Sequence, residues 1–183
     1  MSNIVMSMST VEQIQENNPD NANQYLTFML GKEEYGIEIL KVQEIKGWGQ
    51  VTKIPNTPNY ILGVINLRGA IIPVMDLRLR FCLESADYTP TTVIIVTNVR
   101  LSNKTRTVGL VVDAVSEVYS IDESCFSPAP ELGNSIDTAY VSGLATVEGK
   151  MIILMAVEHL VSQEMLSSVP EASSKNEHSE SNS

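Results

Sequence analysis

Glu44 and Arg68 are the side chains that say most about chemistry in this chain of 183 residues. Groups fit for catalysis are sparse by comparison. His159 stands in an apolar run and His178 in a serine-rich tail, and no Cys/His group has metal-ligand spacing. No serine has a histidine and an acid at a recognisable motif spacing. Gly63 and Gly69 lie inside one apolar, hairpin-like stretch, which is turn chemistry and not a phosphate cradle. Asp76 and Asp113 close β-branched runs, where a carboxylate serves a turn or a cap. Cys82 and Cys125 are too few for a disulfide framework and read as small, partly buried hydrophobes. The expectation is a protein that is not an enzyme and needs no cofactor or metal.

Charge narrows the partners. The net charge of −10 is uneven: residues 1–24 carry −3, residues 162–183 carry −3, and residues 25–161 hold 15 acidic against 11 basic groups. Such a surface does not attract phosphate backbones, so nucleic acid is excluded as a partner. An oligonucleotide-binding barrel would need basic grooves and exposed stacking aromatics. Here the aromatics alternate as core residues do. No charged-then-apolar leader and no apolar run of about 18 residues appears, which predicts a cytoplasmic protein with no direct membrane insertion.

The role of Glu44 and Arg68 depends on the elements that hold them. Arg68 and Gly69 separate two apolar runs within residues 60–77, rich in β-branched residues. That pattern predicts a tight β-hairpin, with glycine taking a positive φ in the turn. Residues 140–157 repeat it: Tyr60, Gly63 and Gly69 recur as Tyr140, Gly143 and Gly149 at a constant offset of 80. A second match, at an offset of 73, relates Gly36, Ile37, Ile39, Val42, Glu44 and Ile45 to Gly109, Leu110, Val112, Val115, Glu117 and Val118. The difference, 80 − 73 = 7, places seven extra residues in the second copy, within residues 120–139.

The duplication predicts about five strands per copy. Residues 25–30 and 35–39 read as paired strands around a turn at 31–34, with Leu26, Phe28, Leu30, Tyr35, Ile37 and Ile39 facing inward. Val42 and Ile45 suggest one helical turn, and residues 51–54 a short strand. Pro73 marks the second arm of the first hairpin as an edge or a bulge. A strand at 92–99, a polar loop at 100–105 and a strand with a turn at 106–118 follow. Residues 158–165 read as a short helix. The predicted fold is all-β: two five-stranded barrels packed together, with short helical turns and a short C-terminal helix. Residues 1–24 are an expected disordered tail, with a short helix possible at 11–14, and residues 166–183 a second, serine-rich one. The globular part spans 25–165, with sub-barrels near 25–83 and 90–160 and exchange of strands between them left open.

The plain reading of Glu44 and Arg68 is two solvated charges. The repeat sharpens it: their counterparts are Glu117 and Glu148, so an opposite-charge couple in the first copy becomes a like-charge couple in the second. A difference between otherwise matching copies marks where a duplicated module specialises.

Several segments together resemble the CheW family of chemotaxis coupling proteins: Phe28-x-Leu-Gly-x-Glu-Glu-Tyr-Gly-Ile37, Val42-Gln-Glu-Ile45, Gly63-x-x-Asn-Leu-Arg-Gly69, Val111-Val-Asp-x-Val115 and Gly143-Leu144. The likeness covers residues 24–165 in the right order. It implies two Src-homology-3-like (SH3-like) barrels with a hydrophobic core between them, and no enzyme activity. It implies an adaptor joining the cytoplasmic tips of methyl-accepting chemoreceptors to the regulatory domain of the histidine kinase CheA, recruited to receptor arrays. The family's barrels alternate end to end in rings, which the chain itself is expected to enter. By the same resemblance, Val42, Glu44, Gly63, Asn66, Arg68 and Gly69 match positions that bind partners or shape that surface. Glu44 and Arg68 match a close pair. Val93 and Val115 are further matches near the second barrel. An adaptor of this family from another motility pathway would carry the same scaffold.

Overall fold

The computed structural model describes residues 23–83, 87–102, 104–128 and 138–161. Its strands are β1 (Gln24–Leu30), β2 (Glu33–Glu38), β3 (Val42–Gly47), β4 (Ile61–Leu67), β5 (Ala70–Asp76), β6 (Val93–Leu101), β7 (Lys104–Val112), β8 (Ala114–Ser120), β9 (Phe126–Ser127), β10 (Val141–Val147) and β11 (Lys150–Met155). They form two curled sheets, giving the predicted pair of SH3-like barrels. One sheet has the order β3-β6-β7-β5-β4; the other has the order β8-β1-β2-β11-β10-β9 and includes the two-residue strand β9.

Each sheet draws on both halves of the chain. The β1–β2 hairpin of the first half joins β8 to β11 of the second, and the β6–β7 hairpin of the second joins β3 to β5 of the first. The chain changes sheet at Ile39–Lys41, a 3-10 turn between β2 and β3, and again at Asp113, between β7 and β8.

Alternation explains the core. On β7, Val111 faces the interior of the five-stranded barrel with Ile65, Ile72, Val74, Ile94 and Val96. Its neighbours Leu110 and Val112 face the other way, into a cluster with Leu26, Phe28, Tyr35, Ile95 and Val157 that both sheets share. The six-stranded barrel has its own small core of Ile121, Ala145, Ile152 and Leu154. Each fully buried aliphatic or phenyl side chain contributes about 1.5–3 kcal/mol. The shared cluster therefore ties the two barrels into one hydrophobic unit.

The predicted inward residues of β1 and β2, Leu26, Phe28, Leu30, Tyr35, Ile37 and Ile39, are all buried. Several local expectations are corrected. Residues 42–45 are strand and not a helical turn, because the backbone of β3 pairs with β6 and the turn comes three residues earlier. Residues 51–54 make only a single bridge, Thr52 to Val64, in place of a strand. β5 is interior to its sheet, between β4 and β7, and the bulge lies on β4 between Ile61 and Gly63. Pro73 is tolerated there because pairing with β7 begins only at Val74. The loop expected at 100–105 is short, since β6 runs to Leu101 and β7 starts at Lys104. The expected turn at the end of 106–118 is strand β8. Cys82 is exposed, beyond the end of the helix Leu77–Arg80. The last helix is a single turn, Val157–Leu160, ended by the extended backbone of Val161 (φ −108°, ψ 96°) short of the predicted run to 165, whose residues 162–165 lie outside the described residues. Gln24, assigned to the tail, begins β1. Residues 1–22 and 162–183, including the short helix considered at 11–14, lie outside the described residues.

Candidate protein-interaction site

Glu44 and Arg68 meet. Arg68 Nη2 donates to Glu44 Oε2 at 2.5 Å. β3 and β4 are the two edges of the five-stranded sheet, so the pair spans the seam where that sheet curls shut. The two ends of the pair differ: the Glu44 side chain is 5% exposed and the Arg68 side chain 60%. A bulge in the β3–β6 pairing, between Val42 and Glu44, lets the strand place Glu44 and Ile45 both under cover. A carboxylate buried this far needs a charged or hydrogen-bonded partner, and Arg68 supplies both.

The turn holds Arg68 in place. Arg68 and Gly69 have φ of 51° and 87°, the doubly positive pattern of a two-residue hairpin turn whose twist suits the flanking strands. Asn66 Oδ1 accepts from the Gly69 N–H at 2.9 Å, fixing the turn from within. Gly63 acts at a distance from the tip. Its φ is 144°, and a Cβ there would lie 2.0 Å from the Thr52 carbonyl oxygen. Only glycine lets the 47–60 segment lie against β4.

Glu44, Asn66, Arg68 and Gly69 thus come together at one end of the five-stranded barrel. The remaining sequence-derived positions do not join them. Val42 is buried in the shared core, with 1% exposure. Val93 begins β6 opposite Gly47, half-buried. Val115 lies in the other sheet, opposite Phe28 on β1.

The second hairpin has the same turn, with Glu148 and Gly149 at φ of 51° and 77°, but its chemistry is reversed. Glu117 and Glu148 are both exposed. Both act on the half-buried Tyr119. Burial, then a hydrogen bond with Glu117 and the charges of Glu117, Glu34 and Glu148, push its phenol up to about 12. The first hairpin tip therefore exposes Arg68, while the second exposes Glu148 with Lys150 two residues on, and Glu117 is exposed on β8.

Two arginines were not singled out from the sequence. Arg78 is fully buried and clamps Asp76 through Nε and Nη2, at 3.0 and 2.9 Å. Its Nη1 donates to Asp113 Oδ1 at 2.9 Å, and Asp113 Oδ2 accepts from the Gly31 N–H at 2.7 Å. Burial works against the guanidinium charge, but these carboxylates outweigh it and hold its pKa above the ordinary value. Asp76 does serve as a cap, accepting from the Arg78 N–H at 3.0 Å. The Tyr88 ring covers the guanidinium at 5.0 Å and stacks on Trp48 at 4.2 Å. Arg80 sits between Tyr60 and Tyr140, 4.7 Å from each ring centre, and donates to the Tyr140 hydroxyl. The recurrence of those two tyrosines was the available signal for Arg80; the Asp-x-Arg spacing after β5 was the signal for Arg78.

Among the described residues no group of three or more His, Cys, Asp or Glu could hold a metal ion, and no helix is long and apolar enough to cross a membrane. Two interlocked barrels, each ending in a charged hairpin tip, define a duplicated SH3-like scaffold. A family model described as CheW-like domain matches residues 24–165. Among curated relatives, "Chemotaxis protein CheW" of Klebsiella aerogenes is 47% identical over 146 residues, covering 80% of this chain and 86% of that protein. "Probable chemotaxis protein CheW" of Rhizobium etli is 38% identical over 138 residues, 75% of this chain and 86% of that protein. Among solved structures, the scaffolding protein TtCheW of Thermoanaerobacter tengcongensis superposes with a TM-score of 0.71 at 39% identity, covering 79% of this chain and 95% of the other. The chain belongs to the CheW family.

Proposed function

We propose that this chain is a non-enzymatic adaptor that couples the cytoplasmic tips of methyl-accepting chemoreceptors to the histidine kinase CheA and so sets the kinase's rate. The observation that carries the reading is the hairpin tip: Arg68 is exposed and fixed by a buried carboxylate and a rigid turn. A preorganised guanidinium fork costs little entropy to engage a partner carboxylate. Family membership supports partners within chemotaxis signalling. The chain acts in the cytoplasm and reaches the membrane only through receptor arrays.

The opposed charges of the two barrel ends support end-to-end contacts. Arg68 on one barrel complements Glu117 and Glu148 on the matching barrel of another copy. Such an interface is heterologous and extends into rings. Each contact is small, so assembly relies on many together.

The test measures autophosphorylation of purified kinase with receptor, with and without this chain. A change in rate that saturates with added chain is expected, with no turnover by the chain alone. An unchanged rate at saturating chain would sink the reading.

A further inference from the structure

Arg80 is a charged residue at a position whose twin is apolar. The offset of 80 that relates the two hairpins carries Arg80 onto Leu160, which is fully buried in the shared core. Arg80 is instead half-buried and lies between Tyr60 and Tyr140, themselves twins at the same offset. Its guanidinium carbon is 4.7 Å from each ring centre. Both tyrosines are held by their backbones. The Tyr60 carbonyl accepts from the Asp76 N–H at 2.8 Å, and the Tyr140 carbonyl from the Ala156 N–H at 2.9 Å. The Tyr140 ring also leans on Phe81, which stacks on Tyr35 in the core, with ring centres 5.9 Å apart in each case. Tyr60 leads into β4 of one barrel and Tyr140 into β10 of the other, so Arg80 sits at the seam between them.

Two aromatic faces take water from both sides of the guanidinium and leave only its edge to find acceptors. That edge is poorly served. Nη2 donates to the Tyr140 hydroxyl. Nε is covered and has no acceptor. Nη1 is not covered and bonds to no described residue. Among the described residues no carboxylate pairs with Arg80, although Arg78, two residues earlier, takes two. The shortfall is not for want of carboxylates, since residues 25–161 hold 15 acidic groups against 11 basic ones. A cation stripped of water on its faces and short of acceptors gains more from a carboxylate than a fully hydrated one does.

We propose that the Tyr60–Arg80–Tyr140 sandwich is a carboxylate-binding site, filled by an acidic side chain of a protein partner that docks across the seam between the barrels. The choice of a protein partner rests on the adaptor reading; the carboxylate chemistry does not. The two rings hold the guanidinium fork in advance, so little side-chain entropy is lost when it is engaged. One ring comes from each barrel, so the site exists only in the assembled pair and neither barrel carries it alone.

Leucine is the residue that the repeat itself places at the twin position, so Arg80→Leu is expected to fold with an unchanged or higher melting temperature. It should weaken binding of the full chain to receptor tips or kinase about tenfold. Arg80→Lys, which keeps the charge but not the fork, should fall between. A second measurement needs no partner. In the full chain carrying isotope-labelled arginine, sodium acetate replaces sodium chloride at constant ionic strength, and the side-chain N–H signal missing from Arg80→Leu identifies Arg80. That signal is expected to shift and saturate, while the exposed Arg100 drifts without saturating. A wild type that binds neither receptor nor kinase would count against the adaptor reading alone, and the acetate titration would still decide the site. The site is overturned by an Arg80 signal that moves no more than that of Arg100, or by Arg80→Leu binding as wild type does. Unfolding of Arg80→Leu would make the residue a structural clasp and overturn it too. An Arg80 signal that acetate moves only after Glu84→Gln with Asp137→Asn would give the site to the chain's own nearby carboxylates and overturn the partner.

Discussion

Arg68 and Glu44 are unequal members of one pair, so their substitutions should separate. Arg68→Ala leaves a nearly buried carboxylate without its donor, at a cost of about 1–2 kcal/mol once the exposure of the arginine end is discounted. Arg68→Lys keeps a cation near Glu44 but loses the flat fork that a partner carboxylate would engage. We expect Arg68→Lys to shift the melting temperature little and to weaken kinase coupling about tenfold, ~1.4 kcal/mol. Glu44→Gln retains an acceptor for Arg68 and should weaken coupling less. Equal coupling in Arg68→Lys and wild type, measured by titration of the kinase assay, would show that the guanidinium is not what a partner reads.

The β4–β5 hairpin shows how an element can hold a surface it does not touch. Gly63 sits well before the turn, at a bulge, with the Thr52 carbonyl pressed against its Cα. Alanine there meets both an unfavourable φ of 144° and a carbonyl oxygen at 2.0 Å. We expect Gly63→Ala to destabilise by at least ~2 kcal/mol, through displacement of the 47–60 segment. Gly69→Ala, in open space at φ 87°, should cost only ~1 kcal/mol. Denaturant midpoints at constant slope test the order of the two. The reverse order would mean that the turn, and not the bulge, limits the hairpin.

At the scale of the molecule, exchanged sheets and a shared core predict one unfolding unit. Neither half owns a complete sheet, so calorimetry should show a single transition. Tyr35 supplies a pH handle on it. The side chain is buried in the shared core, and burial, then the charge of Glu33, push its phenol from 10.0 up to about 12. The folded state therefore holds the proton more tightly than the unfolded state. This contribution is complete below pH 10.0 and is lost as pH rises toward about 12. The melting temperature should fall over that window, and Tyr35→Phe should flatten the fall. A fall of the same steepness in Tyr35→Phe would assign the alkaline loss to other groups.

The sequence by itself determined the hairpins, the duplication, the inward faces of β1 and β2 and the family. Those features are local or repeated. Alternation of side chains fixes a strand's face within a few residues, and an Arg-Gly or Glu-Gly turn fixes its own φ values. The strand that replaces the expected helical turn at 42–45 was not legible, because its β state depends on β6, some fifty residues away. The interior position of β5 despite Pro73 was hidden for the same reason. Only the tertiary structure decided that Glu44 is buried while Arg68 is exposed, that Arg78 bridges Asp76 and Asp113, and that the halves exchange strands. Each of these depends on which distant strands become neighbours. Two copies of one hydrophobic pattern do not say which copy's strand lies beside which.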